Sequence, residues 1–172
     1  MILSTEELRH VFEGTLKPFG HPDPTGFMAR VLMTSGGDPD YISPEGDVGF
    51  MPVDPQVAAD VTGNGEVSTL QGNLAATIAI DLKLYDQYQN ISAMIIAFHF
   101  GAESVSLSGP DGYGEEEAEF LELIQTSRQE AVDLIYPRLA TVEDVVDLIK
   151  STFSGKDVSK KNLAMFEALL EQ

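Results

Sequence analysis

Apolar residues recur three or four positions apart along most of the chain, which is the spacing of one face of an α-helix. Ser4 with Glu7 is typical of the capping box that opens a helix, and Asn90 precedes a later apolar run in the same way. The pattern predicts a mainly α chain. Its predicted helices cover residues 4–16, 23–36, 56–61, 68–89, 91–100, a stretch beginning at Glu115, 141–153 and 158–171.

The longest regular stretch, residues 68–89, is predicted to be a central buried helix. Large apolar side chains follow one face, and three alanines favour close packing. These residues are Leu70, Leu74, Ile78, Leu82 and Tyr85 on the apolar face, with Ala75, Ala76 and Ala79. The last two predicted helices are also amphipathic, and we expect them to form a C-terminal helical hairpin after Pro137 interrupts the pattern.

Residues 34–54 form a long connection rich in Gly, Pro and Asp between two helical stretches. A connection of this length without regular periodicity is uncommon inside a compact domain. Where one occurs, it is usually a binding or catalytic loop held on a rigid scaffold. We therefore expect the functional site of this protein in that loop.

The charge balance restricts the possible partners. Ten Lys and Arg stand against 28 Asp and Glu, which gives a formal net charge of −18. Binding to nucleic acid or to an anionic membrane requires basic side chains that neutralise phosphates. We therefore expect neither kind of binding.

Other features concern export, membranes and cofactors. The N-terminus lacks the basic and apolar regions of a signal peptide, so we expect synthesis in a cytoplasm without classical export. No segment reaches about eighteen consecutive apolar residues, so no membrane span is predicted. The chain has no cysteine, no cluster of metal ligands and no phosphate-binding glycine motif. No metal site and no cofactor are expected.

The loop resembles a signature of the soluble lytic transglycosylases and goose-type lysozymes. Residues 35–39 read Ser-Gly-Gly-Asp-Pro, and residues 43–53 read Ser-Pro-Glu-Gly-Asp-Val-Gly-Phe-Met-Pro-Val. The family signature runs Glu-Ser-Gly-Gly-(Asn/Asp)-Pro and then Ser-Pro-x-Gly-Ala-x-Gly-Leu-Met-Gln-Val. Residues 71–88 and 97–101 resemble two later helices of the same family.

The resemblance covers residues 22–136 and implies a fold. It implies a lysozyme-like helical domain around a central buried helix, with a small irregular or β wing supplied by the loop. A separate N-terminal helix in residues 1–21 would precede this domain. The predicted hairpin in residues 137–172 would follow it.

Several positions that carry the family's chemistry are changed. The general acid of the family is a Glu at the end of a helix, and here that position is Thr34. The Gln that follows the family's Gly-Leu-Met is Pro52, and the family's Ala-Tyr-Asn is matched by Ala97, Phe98 and His99. Threonine cannot protonate a leaving oxygen near neutral pH. The resemblance therefore implies a degenerate glycan cleft, formed by Ser35, Phe50, Met51, Pro52, Phe98 and His99, and we do not expect residual peptidoglycan binding.

Two carboxylates could replace the missing acid. Glu45 and Asp47 flank the glycine turn of the loop, although solvated side chains are the simpler interpretation. Asp38 is expected to form an Asx turn, and Asp54 is expected to cap a helix. His99 is interpreted as a core histidine bonded to a backbone carbonyl, and His21 as a loop residue. For Phe50 and Met51, core positions are preferred.

Three functional hypotheses follow. The first is a catalytically inactive domain that is a structural or docking part of a bacteriophage virion, in the tail, baseplate or ejection apparatus, where domains of this family occur. Its partners would be other virion chains, contacted through the 141–171 hairpin, or further copies of itself. The second is an active peptidoglycan-cleaving enzyme that uses Glu45 or Asp47. The third is a generic helical adaptor, which would lack the wing at residues 38–54.

Overall fold

The structure is a computed structural model, and it describes residues 2–105 and 112–136. The chain divides into two compact units, Met1–Tyr136 and Pro137–Gln172. All described residues belong to the first unit. The predicted C-terminal hairpin lies outside the described residues.

The described part of the chain is mainly helical, as the sequence predicts. Its regular structure consists of α-helices, one π-helical turn and one 3-10 turn, and its only β-pairing is a set of isolated bridges. None of these helices has the length and the apolar content needed to span a bilayer. The elements are α1 (Thr5–Val11), a π-helical turn (Phe12–Leu16), α2 (Pro24–Thr34), α3 (Pro55–Thr62), α4 (Leu70–Tyr88), α5 (Ile91–Phe100), a 3-10 turn (Ala102–Ser104) and α6 (Glu115–Ile135).

Side chains before the first turn cap most of these helices, because the first backbone N–H groups of a helix lack partners within it. Ser4 and Glu7 form the predicted capping box, and Asp54 accepts a hydrogen bond from the Gln56 amide at 2.7 Å. Asn90 caps α5 through the Ala93 amide at 3.0 Å. These three caps confirm the sequence predictions.

The first predicted helix is only partly α-helical. The sequence predicts one helix over residues 4–16, but Phe12–Leu16 forms a π-helical turn in which the Lys17 amide donates to the Phe12 carbonyl. Gly14 lies in this turn, and its low helix propensity reduces the cost of leaving α geometry. The wider turn still buries Phe12 and Leu16.

The main core is built from all the long helices. α2 packs against α6, and α4 packs against α5. A smaller apolar cluster joins the end of the 34–54 loop to α3 and α4. The main core includes Leu8, Leu16, Phe27, Phe50, Met51, Met94, Ile95 and Ile124. Because Phe50 and Met51 join the main core and Val53 joins the smaller cluster, the second half of the loop is held against the helices.

α4 is central, but its buried surface differs from the predicted one. Leu74 and Ile78 are buried as expected. Ala75, however, is exposed, and three polar residues at positions 73, 77 and 81 have no exposed surface. These are Asn73, Thr77 and Asp81, which follow one line along the helix. The most deeply buried face of α4 therefore carries polar groups.

Candidate functional site

The loop between α2 and α3 folds into a small irregular wing. Antiparallel bridges pair Ile42 with Val48 and Val48 with Val53. Val48 and Val53 exchange two backbone hydrogen bonds of 3.2 Å, and the Gly49 amide donates to the Tyr41 carbonyl at 2.9 Å. Among the described residues, the β-pairing of the loop is limited to these isolated bridges.

Ser35 attaches the wing to the end of α2. Its hydroxyl oxygen lies 2.6 Å from the Phe50 carbonyl oxygen, and it accepts a hydrogen bond of 3.2 Å from the Gly37 amide. Ser35 is buried, as are Phe50 and Met51. These contacts fix the start and the far side of the loop relative to each other.

Asn73 attaches the wing to α4. The Met51 amide donates to Asn73 Oδ1 at 2.9 Å, and Asn73 Nδ2 donates to the carbonyls of Val48 and Met51 at 3.0 Å each. The side-chain amide thus uses both its donors and its acceptor on loop backbone. Because these loop groups are in a buried environment, the three bonds also prevent unpaired polar backbone atoms.

Gly49 is required by this arrangement. Its φ of +109° lies in a region that L side chains rarely adopt, and a Cβ placed there would lie 2.2 Å from Asn73 Nδ2. The positive φ and the close contact together explain why a glycine is needed at position 49. It allows the loop backbone to approach the Asn73 side chain.

A cavity of about 370 Å³ lies between the wing, the end of α2 and α5. Thr34 is the last residue of α2, the position at which the resemblance would place the family's general acid. Its hydroxyl donates to the Arg30 carbonyl at 2.8 Å. The residues of the cavity that matter here are Thr34, Glu45, Asp47, Pro52 and His99.

Asp47 is the carboxylate in the cavity with the clearest perturbation. Partial burial raises the pKa of Asp47 above its ordinary value, and the nearby charges of Asp54 and Glu45 raise it further. Glu45 is exposed, as expected for a solvated side chain. A raised pKa means that Asp47 holds its proton to a higher pH than an ordinary aspartate, which is the direction a general acid requires.

A second cavity, of about 360 Å³, is also lined by Asp47 and Pro52. It lies among α3, α4 and α5 and is mostly apolar, with Phe98 and Lys83 in its wall. Of the residues expected in the cleft, Pro52 and His99 line the first cavity, and Phe98 lines only the second. Ser35, Phe50 and Met51 line neither, so they belong to the support of the site and not to its surface.

His99 is partly buried, and it forms no hydrogen bond to a backbone carbonyl within the described residues. The sequence interpretation pairs it with a backbone carbonyl, whereas its Nε2 has no hydrogen-bond partner among the described residues. The ring instead packs against Phe98 and Phe120. Burial, followed by the charge of Arg30, lowers the pKa of His99 to about 3, so the imidazole is neutral at ordinary pH.

A buried group of charges lies beside α2 and α4. Asp81 is paired with Arg30, and His21 Nε2 lies 2.9 Å from Asp81 Oδ2. His21 is in a loop, as expected, but it is fully buried there, which the sequence did not indicate. The Asp23 amide donates to His21 Nδ1 at 3.0 Å, so the proton of the neutral ring is on Nε2 and points to Asp81.

The opposing effects on Asp81 favour its charged form. Burial by itself raises the pKa of Asp81, but the charge of Arg30 and the hydrogen bonds from His21 and Arg30 outweigh burial and lower it. An isolated Asp within the apolar run of 78–82 was the only sequence signal for this group. Its partners are too distant along the chain to be identified from spacing.

The site thus offers a small acidic cavity with a neutral imidazole and no strong proton donor at the end of α2. Within residues 2–105 and 112–136, no group of three or more His, Cys, Asp or Glu could hold a metal ion. Comparison with protein families, with curated proteins and with solved structures gives no match to this chain.

Proposed function

We propose that this chain is a lysozyme-like domain, similar to the lytic transglycosylases, that does not cleave glycans and serves as a structural component of a bacteriophage virion. The observation that carries the proposal is Thr34. It is the final residue of α2, it lines the cavity, and its hydroxyl proton is donated to the Arg30 carbonyl.

Glycosidic cleavage needs a carboxylic acid that protonates the leaving oxygen. A threonine hydroxyl does not supply that proton, and loss of general acid catalysis alone slows such reactions by about 10²- to 10⁴-fold. Pro52, in the same cavity, has neither a backbone N–H nor a polar side chain to hold a sugar. Both changes remove polar chemistry from the place where a glycan would react.

The loop nevertheless has well-formed supporting contacts. Ser35 and Asn73 hold the wing by hydrogen bonds to loop backbone, and Gly49 allows the close approach. These contacts fit a domain in which the architecture is needed and the reaction is not. The virion as its setting, with other virion chains as partners, rests on the family association alone.

A second candidate function is glycan cleavage by a relocated acid. The observation that favours it is Asp47, because this carboxyl lines both cavities and its pKa is raised first by burial and then by Asp54 and Glu45. Glu45 in the same cavity would then be the second carboxylate. This candidate makes an opposite prediction about activity.

The test is a direct assay of the purified full chain on peptidoglycan, with released muropeptides separated and identified by mass. The wild-type protein is compared with a Glu45→Gln/Asp47→Asn double variant and with a buffer blank. We expect release at the blank level from both proteins. Turnover by the wild type that the double variant loses would overturn the proposal and establish the second candidate.

The structural role needs its own measurement. If the chain is a virion component, it is present in purified particles at a fixed ratio to a major virion protein, as quantitative mass spectrometry would measure. Its absence from particles would reject the virion setting, even if the cleavage assay were negative. The two measurements therefore separate the loss of catalysis from the proposed location.

A further inference from the structure

An open apolar groove lies between α4 and the first helical segment, and none of the chemistry above uses it. Its volume is about 610 Å³. Leu70, Leu74 and Ile78 of α4 form one wall, and Val11 and Phe19 lie on the opposite side. Phe19 is 66% exposed, and it has no ring contact within the described residues.

The groove is long enough for about three turns of a helix. Its α4 wall extends from Leu70 to Leu82, a rise of about 18 Å at 1.5 Å per residue. Ala75 and Ala79 lie along this wall, one helical turn apart. Small side chains there let a second helix approach to the usual interaxial distance of about 8–10 Å. A single ligand side chain would leave most of this length uncovered.

One end of the groove is acidic. A neighbouring cavity of about 830 Å³ shares His10, Val11 and Leu70 with the groove. Its other lining residues include Glu6, Glu7 and Glu13, with Arg9 as the basic residue among them, and Glu13 is paired with Lys17 at 2.9 Å. Arg9 is partly engaged, because its Nε donates to the Ile135 carbonyl at 3.0 Å. The apolar floor therefore continues into a surface of negative charge.

We propose that this groove binds an amphipathic helix of a partner protein, with apolar residues on one face of that helix and Lys or Arg beside it. Apolar anchors would lie along Leu70–Leu82, and the basic residues would face Glu6 and Glu7, because Glu13 is already paired with Lys17. Such helix-in-groove recognition uses anchors spaced three or four residues apart. This inference does not depend on whether the cavity at Thr34 is catalytic.

Charge selects this partner over a second copy of the chain. Each copy has a formal net charge of −18, so two copies placed groove to groove would bring acidic surfaces together. Like charges at an interface oppose association, whereas a basic partner is attracted before it makes contact. The binding should therefore weaken as salt is added, because the rim carboxylates are exposed to solvent.

The test uses the full chain and a labelled synthetic helix of about 16 residues, roughly 24 Å long, with Leu on one face and Lys on the others. Fluorescence anisotropy measures its affinity. Two control peptides are used. The first has the same composition in scrambled order, and the second keeps the Leu face but has Gln in place of Lys. We expect both controls to bind at least about ten-fold more weakly, which corresponds to 1.4 kcal/mol.

Matched protein variants locate the binding surface. Ala75→Glu places a charge in the apolar groove, and Ala102→Glu adds the same charge at an exposed position outside it. We expect the first to weaken binding by about ten-fold or more and the second to change it by less than about two-fold. Phe19→Ser is a second groove variant, and circular dichroism verifies folding of each protein.

Three results would overturn the inference. Equal binding of the scrambled and the ordered peptide would mean charge attraction without a groove. Equal effects of Ala75→Glu and Ala102→Glu would place the binding elsewhere. Finally, sedimentation could reveal a dimer that Ala75→Glu dissociates, in which case a second copy is the occupant.

Discussion

At the scale of single residues, the Asp81 carboxylate neutralises Arg30, a fully buried cation of the described structure. Arg30 and Asp81 are both without exposed surface, and His21 donates to the same carboxylate. The Arg30 guanidinium also lies 5.2 Å from the centre of the Phe98 ring. Removing the carboxylate would leave a cation in an apolar environment, where its hydration is not replaced.

Asp81→Asn is therefore expected to destabilise the fold by about 3–5 kcal/mol, the usual cost of leaving one member of a buried ion pair uncompensated. Urea unfolding followed by circular dichroism measures it. Asp86→Asn is the matched control, because Asp86 is on the same helix but exposed, and it should cost less than about 0.5 kcal/mol. Similar costs for both variants would show that Asp81 does not compensate Arg30.

Some residues of the candidate site could be grouped from the sequence, whereas others could not, for physical reasons. Thr34, Glu45 and Asp47 could be predicted because they lie in one loop and share a cavity once it folds. His21 and Asp81 are 60 residues apart in the chain, and their contact follows only from how the helices pack. The missing hydrogen bond of His99 is likewise a property of packing, and no spacing rule predicts it.

At the scale of elements, the wing depends on one contact between a glycine and an amide. Asn73 is the only side chain among those described that bonds to both Val48 and Met51 backbone, and Gly49 lies against it. Gly46 is in the same loop with a similar positive φ of +97°, but a Cβ there would meet nothing within 4 Å. Substitutions at the two glycines therefore distinguish the cost of a positive φ from the cost of a steric clash.

Gly49→Ala is expected to cost more than Gly46→Ala by about 2 kcal/mol or more, because both share the φ penalty and only the first forces Asn73 out of its hydrogen bonds. Thermal and urea unfolding of the two variants give the difference. The Gly49→Ala/Asn73→Ala double variant should cost less than the sum of its single changes. Strict additivity would mean that the two residues do not act on each other.

Helix ends were more predictable than helix faces. The caps at Ser4, Asp54 and Asn90 depend on neighbours within three residues, so the local sequence specifies them. The buried face of α4 was not predictable in the same way. The apolar pattern indicated a buried face that runs from Leu70 to Tyr85. Asn73 lies outside that pattern and is buried because it bonds to loop backbone, and these partners are 22 and 25 residues away along the chain.

At the scale of the whole molecule, acid should reduce stability, and buried groups set the pH at which it does. The folded chain keeps His99 neutral down to about pH 3, because burial and Arg30 lower its pKa from 6.5. In the unfolded chain, the His99 imidazole binds a proton below its ordinary pKa of 6.5. Between these two values the unfolded state holds one more proton than the folded state, so stability falls as pH falls.

The buried aspartates act in a lower range. Burial raises the pKa of Asp23, but its hydrogen bond and ion pair with Arg128 outweigh this and lower it, as Arg30 does for Asp81. A lowered carboxyl pKa contributes stability above the unfolded value of 3.8, and that stability is lost as pH falls through the folded value. Above about pH 4.5 these two groups therefore add little slope, which leaves a window for His99.

His99→Leu should flatten the dependence of stability on pH in that window. Between about pH 6 and 4.5, the wild type is expected to lose about 1.4 kcal/mol per pH unit more than the variant, the value for one proton bound only by the unfolded chain. Urea unfolding at several pH values measures both slopes. His10→Leu is the matched control, because it makes the same substitution at an exposed histidine of α1. If the two variants have equal slopes, His99 is not the neutral imidazole that couples folding to pH.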